Sequence, residues 1–318
     1  MAVISLNRKG YFFSLTVIIA LLLVSVYFAS FSNPGQSREA FVSSHRINEV
    51  NRFLSALEDD ASTGISVASL RTILVFEEHV EDTNSFISPY NRFDEIASEL
   101  LLNGTFDGEE HSLVNESNMN VWVDNIERLG YLGVDLEFEE MNAGLYQDDP
   151  WHVKAFFEYR VIARDEFTSS KWNKSVRVEA SHPIARFADP VYIVGSRGSY
   201  SQNFRKHESP VFPGDLAVHV NEKYYISTSD APSFLQRFTG MDETSEFGVE
   251  SLVNIPALSE VGYLREGRSI VDTVYFSTDD HLTCSASQAH PGHGIPEWVI
   301  LDHQNALKYG VECPENDD

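Results

Sequence analysis

The first long stretch without a polar rhythm is residues 11–31, YFFSLTVIIALLLVSVYFASF, which carries no charge. Twenty-one residues at about 1.5 Å each make a helix of about 31 Å, matching the ~30 Å hydrocarbon core of a bilayer. A helix satisfies its own backbone polar groups in lipid, so the segment predicts a transmembrane span. Arg8 and Lys9 precede it, and basic flanks stay cytoplasmic. Residues 1–10 are therefore expected inside the cell and the remainder outside.

Beyond Asn33-Pro34-Gly35 the apolar positions take a helical spacing. Ile47, Val50, Leu54 and Leu57 form one stripe, which Glu58-Asp59-Asp60 is expected to close near residue 61. Further helices are predicted over 63–81, 92–102 and 117–130, the last capped by Ser117. Around Leu132 the period changes to two. Residues 134–140 alternate, and over 151–166 Val153, Ala155, Phe157, Tyr159, Val161 and Ala163 share one face. Residues 175–180 read as a third strand. The C-terminal third predicts a hairpin over 216–228 about Asn221-Glu222 and a short helix over 233–239. A strand over 269–278 and a strand or short helix leading into a helix over 298–310 complete it.

The pattern thus predicts an α+β protein: an N-terminal transmembrane helix, a helical region over 32–130, then an antiparallel sheet ectodomain over 131–318. The last part mixes helix and strand.

Composition sharpens the picture. The chain has 318 residues, 48 acidic and 23 basic, for a formal charge of −25. Tracking nucleic-acid phosphates needs a basic face, so nucleic acid is not an expected partner. Lysines number 7 and arginines 16. Few lysines with an excess of acids is a surface habit suited to strong salt, where self-repulsion is screened, and it predicts a halophilic protein. Cys284 and Cys313 are the only cysteines, and outside the membrane an even pair favours a disulfide. Asn103, Asn115 and Asn173 each begin an Asn-x-Ser/Thr glycosylation sequon.

The basic stretch Arg8-Lys9-Gly10 stands directly before Tyr11-Phe12-Phe13-Ser14-Leu15. This resembles the class III leader of type IV pilins and archaeal pilin-like proteins. The resemblance implies a prepilin-type peptidase that reads Arg8, Lys9, Gly10 and Tyr11 and cuts after Gly10. It also implies a helix at 11–31 that anchors the protein in the bilayer and packs against other pilin-like subunits. Leu15 stands where the bacterial pattern has a glutamate. A plain uncleaved signal anchor and a cleaved secretory signal are the competing readings of the same window. The strings ADPVY (188–192), GVESLV (248–253), SIVDTVYFS (269–277), EWVILD (297–302) and LKYGV (307–311) together resemble a group of membrane-anchored archaeal surface proteins. That resemblance supplies no catalytic residues. The strings themselves read as core strands and their entry turns.

Chemistry is sparse. His281, Cys284, His290 and His293 are the one candidate metal set, in a spacing that matches no standard zinc pattern. Asp59-Asp60, Asp148-Asp149 and Asp279-Asp280 are adjacent carboxylates, which on a strand point to opposite faces and so make poor acid/base pairs. Residues 242–246 lack the central glycine of a calcium loop. There is no G-x-S-x-G, and GSRGS (195–199) lacks a P-loop lysine. No cofactor is expected. The function predicted is a non-enzymatic surface protein, a pilin-like subunit or minor pilin. The alternative is a signal-anchored extracellular hydrolase or binding protein.

Overall fold

A computed structural model describes Ile18, Ile19, Leu21 and Leu22, and then residues 37–313 apart from 129–132, 168, 242 and 279–280. The expected leader residues Arg8, Lys9, Gly10 and Tyr11, and most of the expected span at 11–31, lie outside the described residues. Among the described residues no helix is long and apolar enough to cross a membrane. The fold is α+β with antiparallel sheets. The chain divides into two compact units. The first comprises Met1–Asp60, Ile126–Glu139 and Arg160–Val176, and the second Ala61–Asn125, Glu140–Tyr159 and Arg177–Asp318.

Helix α1 (Ser37–Thr83) is continuous over 47 residues, correcting the two helices expected with a break at Glu58-Asp59-Asp60. The reason lies in the stripe. Buried Val50, Leu54, Leu57, Ala61, Ile65, Ala68 and Thr72 follow one another at steps of three and four, so the apolar face passes straight through the acidic triplet. Ile47, expected on that stripe, is exposed. Helix α2 (Phe93–Asn103) follows and ends on Gly104, whose φ of 73° supplies the left-handed C-cap. A two-residue hairpin pairs β1 (Thr105–Phe106) with β2 (Glu109–Glu110). Helix α3 (Met119–Arg128) starts one residue later than expected: the Asn118 carboxamide, not Ser117, accepts the Val121 N–H at 3.0 Å.

The period-two segment becomes a meander of β3 (Val134–Asp149), β4 (His152–Asp165) and β5 (Lys171–Pro183), in that spatial order. Two residues join β3 to β4 and five join β4 to β5, lengths that permit only antiparallel pairing. All six alternating residues from Val153 to Ala163 are buried. Within the first unit, Arg46 of α1 pairs with Asp165 at 3.0 Å, the Trp172 indole donates to Asn51 at 2.9 Å, and Lys174 bonds Glu58. Within the second unit, α1 meets β5 through Ser69 and His182, 2.8 Å apart. Trp122 of α3 packs edge-on to Phe157 there.

From residue 184 the elements are short. They are α4 (Pro190–Gly195), α5 (Leu216–Asn221), β6 (Tyr225–Ser227), α6 (Phe234–Arg237) and β7 (Val249–Ser251), then α7 (Ile255–Glu260), α8 (Asp272–Phe276), β8 (Thr283–Ser285), α9 (Ala286–Ala289), β9 (Ile300–Asp302) and α10 (His303–Ala306). Two strand expectations fail here for one reason: the buried positions recur at three and four, not two. Leu216, His219 and Val220 are inside while Val218 is exposed, so 216–221 is helix α5 and no hairpin turns at Asn221-Glu222. Strand β6 pairs instead with β7. Likewise Asp272 and Tyr275 are buried, and 272–276 is helix α8, not a strand. The expected short helix at 233–239 is α6, with a Ser233/Gln236 capping box. The strand-then-helix ending is β9 followed by α10. Cys284 of β8 is disulfide-bonded to Cys313, which ties the chain's last described residues to the β8–β9 pair.

Candidate functional site

The densest polar chemistry in the second unit is a sealed ion network. Arg237, at the end of α6, is fully buried. Its Nε donates to Asp189 Oδ1 at 3.0 Å and its Nη2 to Asp189 Oδ2 at 2.6 Å, a bidentate pair. The same Nη2 reaches Asp272 Oδ2 at 2.5 Å, and Nη1 donates to the Val249 carbonyl at 2.8 Å. Tyr225 donates to Asp189 Oδ2 at 2.8 Å, and Ser251 donates its N–H and its hydroxyl to Asp272 Oδ2. Beside this set, Glu250 accepts from Lys308 at 2.9 Å and from Tyr309 at 2.5 Å.

Local sequence explains why each member arrives. Asp189 is also the N-cap of α4, accepting the Val191 N–H with Pro190 at the first helical position. Asp272 sits in the first turn of α8, and its Oδ1 accepts the Thr273 N–H. The strand β7 must approach Ala231 closely, since a Cβ at Gly248 would stand 2.1 Å from the Ala231 carbonyl.

Burial opposes the charge on Arg237, but Asp189 and Asp272 more than offset it and hold the guanidinium above its usual range. Burial raises the Glu250 carboxyl, with Lys308 pulling it back. The tyrosine hydroxyls of Tyr192, Tyr225 and Tyr309 are pushed up chiefly by burial. Arg237, Asp189 and Asp272 have no solvent exposure, so the network meets no substrate. What it can do is lock five chain segments in one arrangement.

Four of the strings that resembled a surface-protein group meet here. Asp189 comes from ADPVY, Glu250 and Ser251 from GVESLV, Asp272 from SIVDTVYFS, and Lys308 and Tyr309 from LKYGV. By pattern alone those strings read as core strands and their entry turns. The available signal was a charged residue set among apolar ones in each string, an acid in the first three and Lys308 in the last. Arg237 itself stood in none of them.

The sequence-derived candidates fare differently. Cys284 is a disulfide sulfur, so it is no thiolate for a metal. His290 and His293 do come together, ring centroids 5.7 Å apart, while His281 is exposed. Among the described residues no group of three or more His, Cys, Asp or Glu has metal-binding geometry. Asn103, Asn115 and Asn173 are all exposed, and the Asn103 carboxamide oxygen accepts from Asn120. Ser69 and His182 form a buried serine–histidine pair. The Ser69 hydroxyl already donates to the Ile65 carbonyl at 2.6 Å, and the pair is closed to solvent.

Glu77 of α1 is a titratable group that no motif announced. Burial raises it to about 7; the Ala188 N–H, bonded to its carboxylate, opposes the shift and Glu81 adds to it. No protein-family model matches the chain, nor does any curated protein or solved structure.

Two outcomes are expected. Arg237→Met leaves two buried carboxylates without their partner and should cost about 3–5 kcal/mol in denaturant melts. Glu77 is protonated in the fold where the unfolded chain is ionised, so stability is full below its ordinary 4.5 and falls as pH rises to about 7. Glu77→Gln keeps the acceptor for Ala188 and removes the titration. It should stabilise the chain at about pH 8 by at most about 3 kcal/mol, and barely at about pH 4.5, by melts at both.

Proposed function

We propose that this chain is a non-enzymatic cell-surface protein, a pilin-like subunit or minor pilin, held in the membrane by residues 11–31 with the remainder outside. The observation that carries the reading is α1. A 47-residue helix follows the charge-free segment in sequence, and an antiparallel meander bonds to it in each unit. A subunit that assembles through its N-terminal helix needs that helix continuous and backed by a rigid body, and the disulfide and the sealed ion network both serve rigidity. Exposed sequons at Asn103, Asn115 and Asn173 suit an external face.

In this reading Arg8, Lys9 and Gly10 are read by a prepilin-type peptidase, and 11–31 packs in lipid against other pilin-like subunits. The anchored-hydrolase alternative draws no support from the Ser69–His182 pair, which is closed to solvent and whose serine hydroxyl already donates to the Ile65 carbonyl.

Mass spectrometry of the mature N-terminus decides the leader: Tyr11 is expected, whereas Met1 or Ala2 would make the segment a plain anchor. The charge of −25 carries a separate expectation. The melting temperature should rise between about 0.1 M and about 2 M KCl as screening relieves self-repulsion. Equal melting points would remove the adaptation to salt.

A further inference from the structure

A second polar cluster in the same unit has a different character. His207 and His219 face each other with Nδ1 atoms 2.9 Å apart and rings nearly parallel. His207 is half-buried and stacks on Tyr224 at 4.5 Å. His219, on α5, is fully buried, with Phe212 edge-on to its ring and Tyr309 beyond. Its Nε2 is buried with no hydrogen-bond partner.

That last fact assigns the tautomers. A buried N–H without an acceptor is costlier than a bare lone pair. The His219 proton therefore sits on Nδ1 and is donated to His207 Nδ1, and His207 carries its own proton on Nε2. A proton added to the pair then has no satisfactory place. On His207 Nδ1 it confronts the His219 N–H. Moving the His219 proton to Nε2 restores the bond but leaves that N–H buried without an acceptor.

We infer that His207 and His219 form an acid-released latch, which at neutral pH holds the segment 208–215 against α5 and Tyr309 and lets it go when the pair takes up a proton. The segment is clasped at its base. The His207 N–H donates to the Tyr225 carbonyl at 2.9 Å, and the Tyr225 N–H to the Arg205 carbonyl at 2.7 Å. Pro213 lies directly against Gly310, where a Cβ would stand 2.9 Å from the proline ring. Release would uncover Phe212 and the ring of Tyr309 it covers.

Other titratable and charged groups around the pair are already engaged. Arg205 lies over the Tyr224 ring and pairs with Glu222. The Tyr309 hydroxyl bonds Glu250, which holds Lys308. Asp215 accepts the Val211 N–H. Burial, with His207 adding to it, pushes the His219 imidazole down to about 3. A histidine lowered in the fold contributes stability that is complete above its unfolded value and lost as pH falls from about 6.5 toward 3. This sign is opposite to that of Glu77, so the two can be told apart.

The test is hydrogen exchange on the full-length chain in detergent at about pH 7.5 and about pH 5, corrected for intrinsic rates. Protection over 211–224 should fall roughly tenfold or more at the lower pH while β4 stays within about twofold. His207→Gln, whose amide oxygen can accept from His219 without titrating, leaves His219 as the one ring of the pair that can take up a proton and should diminish the fall. Equal protection at both pH values, a uniform loss that includes β4, or an undiminished fall in His207→Gln would each overturn the latch. Should that variant not fold, nitrogen-15 shifts of the wild-type rings decide. An Nδ1–H tautomer at His219 near pH 7.5 supports the latch, and an Nε2–H tautomer or a charged ring there overturns it.

Discussion

The second unit is organised by the need to keep one buried cation satisfied. Arg237 has no exposure, and an unpaired guanidinium in that position would cost several kcal/mol. Asp189, Asp272 and the Val249 carbonyl must therefore arrive together, and each lies on a different short element. The elements after residue 184 run only three to six residues apiece, too short to hold their places by regular hydrogen bonding alone. Convergence of charge supplies the missing specification: an arrangement that displaced α4 or α8 would strand a buried charge. Hydrophobic contacts such as Phe187–Phe234 and Phe204–Phe234 tolerate repacking more readily than a bidentate ion pair does.

Polar chemistry is thus divided by depth. The groups with the strongest mutual interactions, Arg237 with its two aspartates and Glu250 with Lys308 and Tyr309, are sealed and serve architecture. Those with most solvent access, such as the Arg164–Glu137 and Arg177–Glu158 pairs on the meander, are ordinary surface ion pairs that contribute little each and weaken in salt. This distribution places the specifying ion pairs inside and leaves a highly charged exterior. Groups poised to respond to their surroundings are the exceptions, Glu77 on α1 and the His207–His219 pair: burial shifts Glu77 and His219, and the His219 Nε2 has no hydrogen-bond partner.

How far the sequence was legible depended on contact range. Strand β4 could be read almost to the residue because Val153 through Ala163 alternate without interruption, and a strand's side chains alternate by geometry alone. The helix α1 was legible as helical but not as one helix: the acidic triplet 58–60 looked like an end, while the buried stripe on the opposite side continued through Ala61. The segments 216–221 and 269–278 misled because β-branched and aromatic residues favour strands locally, and only long-range partners fixed which side of each was buried.

The amino-acid sequence by itself determined the charge-free segment at 11–31, the excess of acids, the change of period near Leu132 and the pair of cysteines, because each is a property of composition or of neighbouring positions. Tertiary structure decided which polar residues matter. Asp189, Asp272 and Glu250 look like ordinary acids in a chain that has 48 of them. They acquire their roles because folding brings Arg237 and Lys308 to them from 48, 35 and 58 positions away and removes the water between. Charge interactions depend on distance and dielectric, and neither is written in the order of the residues.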